Sequence, residues 1–412
     1  MAAIAALFIV ANAPNVAIAK APATVLPGAA EQFKERQAAT DAGDTSEQLK
    51  LASWAADHNL LDQADGVYRR ILDDEPDQSE AYFGLLAVAQ RRPLSRDSNV
   101  LLSADAIVAP TFVKHESKHF VILSNADEAW SRRQLEVLER AHNQFQRFAS
   151  RLKLRSMPLQ NKLVCILFAD QEQYRKFGLA HDHVENAWIT GYYSPHHDWI
   201  VFYDPQRAPE VQQARAQLDH APREGTSQQI YERQKRRIDD FAAREGAATT
   251  IHEATHQLFF HTRIQSPSVR YPLWICEGLA TCFETDAPDK AFGPDRDYAP
   301  RRNRFRELLR GEKLIPLREL IQIDRVGRGD GEERIDAIYQ QSYALVNWMS
   351  RFRKDALRLY LCEMRRQPAG ELPAQRHLEL FEQAFGDADA LERAWLRFEK
   401  CQIDIATATA AD

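Results

Sequence analysis

The sequence predicts an α+β protein, and three observations carry that prediction. Apolar, β-rich runs gather in one stretch: "HFVILS" (119–124), "KLVCILFAD" (162–170) and the pair of strands in "AWITGYYSPHHDWIVFYDP" (187–205), which turn at Ser194-Pro195-His196-His197. Helical periodicity fills the chain on both sides of that stretch. The composition is that of a globular protein, with 44% hydrophobic and 27% charged residues over 412 residues. That length allows two or three packed units.

In chain order, "MAAIAALFIVANAPNVAIAK" has an apolar run from Ala2 to Val10 and small-residue exits at Ala11-Asn12-Ala13 and Ala17-Ile18-Ala19. This pattern predicts a signal peptide over 1–19 and hence export, to the periplasm, the cell surface or the medium. The run lacks the basic residue that normally precedes it, so a cytoplasmic location is the alternative. No segment approaches the ~20 apolar residues of a membrane span. Residues 20–44, rich in Ala, Pro, Gly and polar side chains, read as a linker. From 45 to 100, Leu51, Ala55, Ala64, Tyr68, Ile71 and Pro76 fall on helix–turn–helix spacing. The segment resembles one tetratricopeptide unit, with a plain helical hairpin as the alternative. Such helices would serve a protein partner.

A mixed unit is expected over 105–295. It holds the helical stretch 127–152 and a polar, charged excursion at 206–246 with helical runs. A helical C-terminal lobe follows over 296–405, through "RRNRFRELLRG", "IDAIYQQSYALVNWMSRF", "DALRLYLCEMRRQ" and "LERAWLRFEKC".

Lys+Arg 53 against Asp+Glu 59 leaves a net charge of −6, so no basic surplus advertises nucleic acid or an anionic membrane. The five cysteines, Cys165, Cys276, Cys282, Cys362 and Cys401, form no C-x-x-C pair and are odd in number, which argues against a disulfide framework; one bridge in an exported protein is the alternative.

The chemistry lies in "AATTIHEATHQLFF" (247–260), read as a helix that starts after Gly246. Spacing of i, i+4 puts His252 and His256 on one face, where two neutral imidazoles grip one zinc ion. Glu253 stands beside the metal without binding it, placed to deprotonate a water the metal has made acidic. A catalytic zinc needs a third protein ligand and an open position. Glu277 in "PLWICEGLATCFE" (272–284), 21 residues after His256, supplies the ligand on a second helix. Trp274 and Leu279 would pack that helix down, and Gly278 would let the two helix backbones approach. Cys276, adjacent to Glu277 and about 100° round the helix, would face elsewhere.

H-E-x-x-H followed by W-x-x-E-G-x-A resembles the gluzincin metallopeptidases. "LWICEGLATCFE" looks most like the zinc aminopeptidases and their peptidase-MA-like bacterial relatives. It also resembles a bacterial group that joins such a domain to tetratricopeptide-like helices and an export signal. The resemblance covers roughly 115–360 and implies a zincin-like catalytic domain, a small mixed sheet with active-site helices. It implies one Zn2+ per chain on His252, His256 and Glu277, with Glu253 as general base and a peptide or protein as substrate. The family's oxyanion-stabilising tyrosine matches Tyr339 in "IYQQSYALVNWM", 62 residues after Glu277, with Tyr343 in reserve. Glu284 matches a carboxylate that orients a ligand histidine; as a bare residue it reads equally as a solvated helix-end charge. The strand "WIVFYD" (199–204) would be the sheet edge on which the family lays an extended peptide.

One departure matters. The Gly- and acid-rich motif by which the aminopeptidases capture a free amino end is missing upstream of His252, and "GYYSPHHDW" lacks its glutamate. The expected activity is therefore that of an endopeptidase. The alternatives are a catalytically inactive zinc-binding scaffold that uses the N-terminal helices, and an aminopeptidase. His181, His183, His196 and His197 read as solvated loop histidines.

Overall fold

The computed structural model describes residues 28–95, 98–184, 190–220, 228–327 and 329–409. The expected leader, residues 1–19, lies outside them. The chain divides into two compact units, Met1–Pro93 and Leu94–Asp412.

In the first unit the described residues form helices α1 (Ala29–Ala39), α2 (Thr45–Asp57), α3 (Leu61–Asp74) and α4 (Ser79–Arg91). Helix α1 lies within the stretch expected to be a linker. Its Ala29 and Phe33 are buried, so an apolar contact stabilises helix where composition alone reads as coil. Asp44 caps α2 by accepting from the Ser46 and Glu47 amides. The six positions singled out at helix–turn–helix spacing include Leu51, Ala55, Ala64, Tyr68 and Ile71, all buried. Gly84 admits the Tyr68 ring against its backbone: a Cβ there would lie 2.3 Å from the ring.

The second unit is built on a five-stranded sheet: β1 (Val113–Glu116), β2 (Phe120–Ser124), β3 (Leu163–Phe168), β4 (Gly191–Ser194) and β5 (Trp199–Tyr203). The strand order is β1-β2-β3-β5-β4; β2, β3 and β5 run parallel, and β1 and β4 flank them antiparallel. Helices cover both faces. Phe120, Ile122, Cys165, Leu167, Ile200 and Phe202 join one apolar core, and Val121, Leu123, Val164, Ile166, Trp199 and Val201 join another. Burial on both sides explains why these strands read as continuous apolar runs instead of alternating ones. The assignment of "WIVFYD" as a sheet edge is corrected by this topology. The tight turn after β4 folds β5 back between β4 and β3, so the edge strand is β4.

Around the sheet stand α5 (Asn99–Ile107), α6 (Glu128–Arg151), α7 (Gln171–Phe177), a π-helical turn (Gly178–Asp182) and α8 (Pro209–His220). The next helix, α9, runs unbroken from Gln228 to His261, 34 residues. It does not begin after Gly246, as the sequence suggested. Gly246 sits inside it because Pro205 crosses there: a Cβ would meet the proline Cγ at 2.8 Å. The glycine serves close packing, and the second half of the polar excursion is the first half of this helix. Then follow α10 (Leu273–Phe283), α11 (Ala299–Arg310), α12 (Leu317–Leu320), α13 (Glu332–Phe352), α14 (Lys354–Arg365), α15 (Ala374–Phe385) and α16 (Ala388–Thr409). Their apolar faces, including Phe305, Leu345, Tyr360, Phe381 and Trp395, share one core with α6, α9 and the sheet. Among the described residues no helix is long and apolar enough to cross a membrane.

Candidate metal centre

Helix α9 buries Ile251, Ala254, Thr255, Leu258 and Phe259 in the core, which turns the His252–His256 face toward a cleft. That cleft, of about 980 Å³, is lined among others by His252, Glu253, His256, Glu277, Glu284 and Tyr339. Helix α10 presents Glu277, with Trp274 and Leu279 fully buried beneath it as expected. Gly278 has a different neighbour from the one its position implied. A Cβ on it would lie 2.6 Å from the Val346 side chain and 2.7 Å from the Ser342 carbonyl, so the close approach is to α13 and not to α9. The glycine thereby brings the Tyr339 helix up to Glu277.

His252 Nε2 and His256 Nε2 lie 3.2 Å apart. Glu277 Oε2 is 3.2 Å from His252 Nε2, and Glu277 Oε1 is 3.8 Å from His256 Nε2. One ligand atom from each of the three residues falls within 4.8 Å of the others. Four-coordinate zinc with nitrogen bonds of 2.0–2.1 Å would hold two nitrogens about 3.4 Å apart, close to the spacing seen. Glu277 Oε2 is buried and meets His252 Nε2 in an ion pair that lacks hydrogen-bond geometry. A buried carboxylate oxygen without a hydrogen bond is costly, and a cation between it and the two imidazoles removes that cost. The site also favours positive charge. Burial pulls the His252 imidazolium down, but Glu277 and Glu284 outweigh it and hold the group up at about 10. Glu277 is driven well below the usual carboxylate range, because His256 and His252 overcome its burial. The residues present therefore fit a zinc ion.

Glu284 is neither solvated nor incidental. It caps the end of α10, is 6% exposed, and its Oε1 lies 2.9 Å from His252 Nδ1. Arg301 donates to both of its oxygens at 2.7 Å and, with His252, keeps it ionised against its burial. An ionised Glu284 accepts the Nδ1 proton, which leaves the Nε2 lone pair of His252 directed at the metal position. Glu284→Gln should lower zinc affinity about 10–100-fold. Competition against a chromogenic chelator measures this, and unchanged affinity would refute the role given to Glu284.

Glu253 is held from the other side. The Tyr193 amide on the outer edge of β4 donates to Glu253 Oε2 at 2.8 Å. Burial pushes the Glu253 carboxyl up, while His252 and His256 pull it back. The β4–β5 turn is in turn fastened to α9: Asp198, at φ 63°, accepts from Tyr193 Oη at 3.0 Å and approaches His261 Nε2 at 2.8 Å, and its carbonyl accepts from Gln257 Nε2 at 3.0 Å. The Tyr339 phenol lines the cleft and is pushed well above its usual range by Glu277, then by burial and by Glu253, so it stays protonated as a donor.

Tyr343 does not serve as the reserve. It is fully buried, its hydroxyl accepts from the Tyr298 amide at 2.7 Å, and it is not among the residues lining the cleft. Cys276 is placed differently from expectation: it lines the cleft, and Gln265 Nε2 donates to its sulfur at 3.8 Å. Burial and Glu277 push its thiol up, so it remains a neutral thiol and a poor ligand. Cys282 donates to the Tyr343 carbonyl. His197 stacks on Trp199 and its Nδ1 meets Asp182 at 2.8 Å. Arg301, the Tyr193 amide and the Asp198 fastening escaped sequence reasoning. None belongs to a motif, and the partners of Arg301 and Tyr193 are 17 and 60 residues away.

Residues 246–370 match the family described as "Protein of unknown function (DUF1570)". The match contains His252, Glu253, His256, Glu277, Glu284 and Tyr339. No curated protein matches the chain.

Proposed function

We propose that the chain is a zinc-dependent peptidase of gluzincin type, with a zincin-like second unit. The observation that carries the reading is the convergence of two imidazole Nε2 atoms and a buried Glu277 oxygen without a hydrogen bond on one point, with Glu253 at its side. Zinc held by His252, His256 and Glu277 would polarise the scissile carbonyl and acidify water there. Glu253, whose carboxyl burial pushes up, takes the proton of the attacking water. It then delivers that proton to the departing amine nitrogen as the carbon–nitrogen bond breaks. Tyr339 donates a hydrogen bond from its hydroxyl to the developing oxyanion. The outer edge of β4, with Tyr193 beside Glu253, pairs with the substrate backbone and places the scissile bond. Because the amine-capture motif is missing, the enzyme acts within chains as an endopeptidase. Export by the leader and a protein partner on the tetratricopeptide-like helices belong to the same proposal.

The experiment is digestion of casein by the purified chain, with and without chelator, followed by mass spectrometry of the products. Internal cuts that vanish on chelation and return with zinc support the reading. Stoichiometric zinc with no cleavage across several substrates sinks it in favour of a zinc-bearing scaffold, and residue-by-residue trimming from the amino end would assign an aminopeptidase. Within active enzyme, Tyr339→Phe should lower kcat about 10²–10³-fold with zinc content unchanged. A kcat within a factor of about two of wild type would remove Tyr339 from the mechanism.

A further inference from the structure

Four tyrosines line the cleft, and their hydroxyls fall into two kinds. Tyr192 Oη donates to Asp182 at 2.7 Å and Tyr193 Oη donates to Asp198 at 3.0 Å, so both hold the β4–β5 hairpin. The Tyr298 and Tyr339 hydroxyls make no hydrogen bond among the described residues, and neither oxygen is buried, although both residues are half-buried. Tyr339 has a part in the proposed reaction. Tyr298 has none so far.

One helix fixes both phenols. Tyr339, Tyr343 and Asn347 follow at four-residue spacing on α13 and so share a face. The first reaches the cleft, and the other two hold the backbone that carries Tyr298. Tyr343 Oη accepts from the Tyr298 amide at 2.7 Å, and Asn347 Nδ2 donates to the Pro294 and Arg296 carbonyls at 3.0 and 2.7 Å. The Tyr298 carbonyl accepts from the Arg302 amide at 3.0 Å, and the Arg302 guanidinium reaches Asn347 Oδ1 at 2.7 Å. A free hydroxyl on a backbone tied this firmly is preorganised for a ligand. Burial, then Glu284, Glu245 and Asp286, push the Tyr298 phenol up, so it stays protonated as a donor.

Tyr298 stands across the cleft from β4. Strand β4 packs on α9, α10 packs between α9 and α13, and α11, which Tyr298 precedes, packs on α13. A peptide paired with β4 turns the carbonyls of alternate residues away from that strand. Taken out of water, those carbonyls need donors. The carboxylate acting most on Tyr339 is Glu277, whereas Glu284 and Glu245 act most on Tyr298. Glu245 precedes His252 by seven residues of α9, about 10 Å, which an extended peptide covers in about three residues.

We propose that Tyr298 is a substrate-binding residue. Its hydroxyl donates to a backbone carbonyl of the peptide, on the edge turned away from β4 and within about three residues of the scissile bond. This rests on the peptidase reading for the identity of the ligand as a peptide. The test measures binding, so it fails separately from that reading. The zinc-loaded Glu253→Gln chain, with and without Tyr298→Phe, is titrated into a decapeptide of alternating Ser and Ala around a central Leu-Leu. The peptide is acetylated at its amino end and carries fluorescein at its carboxyl end. A matching series replaces one carbonyl at a time by a thiocarbonyl, a poorer acceptor.

Tyr298→Phe should weaken binding about 3–10-fold. Thermal unfolding should not change, because the lost hydroxyl has no partner within the protein. One thiocarbonyl near the Leu-Leu should weaken binding when Tyr298 is present and lose that effect in Tyr298→Phe, the non-additivity of a direct contact. Unchanged affinity, effects that add at every thiocarbonyl position, or no binding of the decapeptide at all would each overturn the proposal. The coupled loss, found where the wild-type chain cleaves nothing, would support it while sinking the peptidase. Zinc-dependent casein cleavage together with an affinity indifferent to Tyr298→Phe would do the reverse.

Discussion

Glu253→Gln should lower kcat/KM for peptide hydrolysis by roughly 10²–10⁴ while zinc content stays at the wild-type value. The amide matches the carboxylate in size and keeps an acceptor for the Tyr193 amide, so the β4 edge remains in place. What it removes is the capacity to accept a proton. Glu253 is not one of the three ligand residues, so metal binding should survive. Rate and metal content are measured on the same preparation. Loss of both together would mean that Glu253 supports the centre instead of the chemistry.

Arg302→Met should destabilise the chain by about 3–5 kcal/mol, the largest single effect expected away from the cleft. Arg302 and Glu399 are both buried, at 6% and 1% exposure, and Arg302 Nη1 donates to both Glu399 oxygens at 2.9 Å. Its Nη2 reaches Asp297 Oδ1 at 2.8 Å and Asn347 Oδ1 at 2.7 Å, while Asn347 Nδ2 donates to the Pro294 and Arg296 carbonyls. The network fastens α11, α13, α16 and the loop before Tyr298. Methionine fills part of the volume but strands Glu399, whose pKa burial already raises, without its guanidinium. Urea unfolding measures the cost, and the double variant Arg302→Met, Glu399→Leu should recover much of it.

How far the sequence discloses this protein depends on whether a feature is local. Strands β2, β3 and β5 are local apolar runs, whereas β1, "VKHE", is polar and mostly exposed and went unread; helix α6 was expected over 127–152 and is found as Glu128–Arg151. His252, Glu253, His256 and Glu277 sit in two short motifs whose spacing follows from helix geometry, and the structure brings all four to one cleft. Gly246 and Gly278 were misread because a glycine reveals that something comes close without revealing what: Pro205 in one case, α13 in the other. The edge strand was misplaced because strand order is set by pairing between distant segments, which no single run encodes. Arg301 was invisible for the same reason, since its role exists only once α11 is laid beside the end of α10. Tyr343 shares a face with Tyr339 by spacing, yet its hydroxyl is taken by the Tyr298 amide, a contact 45 residues away in sequence.

The central claim is that His252, His256 and Glu277 hold one zinc ion on which Glu253-dependent peptide hydrolysis relies. Titrating zinc into the metal-free chain while following casein cleavage tests it most directly. The account predicts that activity rises linearly and levels off at one zinc per chain, and that Glu253→Gln binds the same equivalent without gaining activity. Cleavage that ignores zinc, or a full equivalent of zinc that leaves wild type as inert as Glu253→Gln, would contradict it.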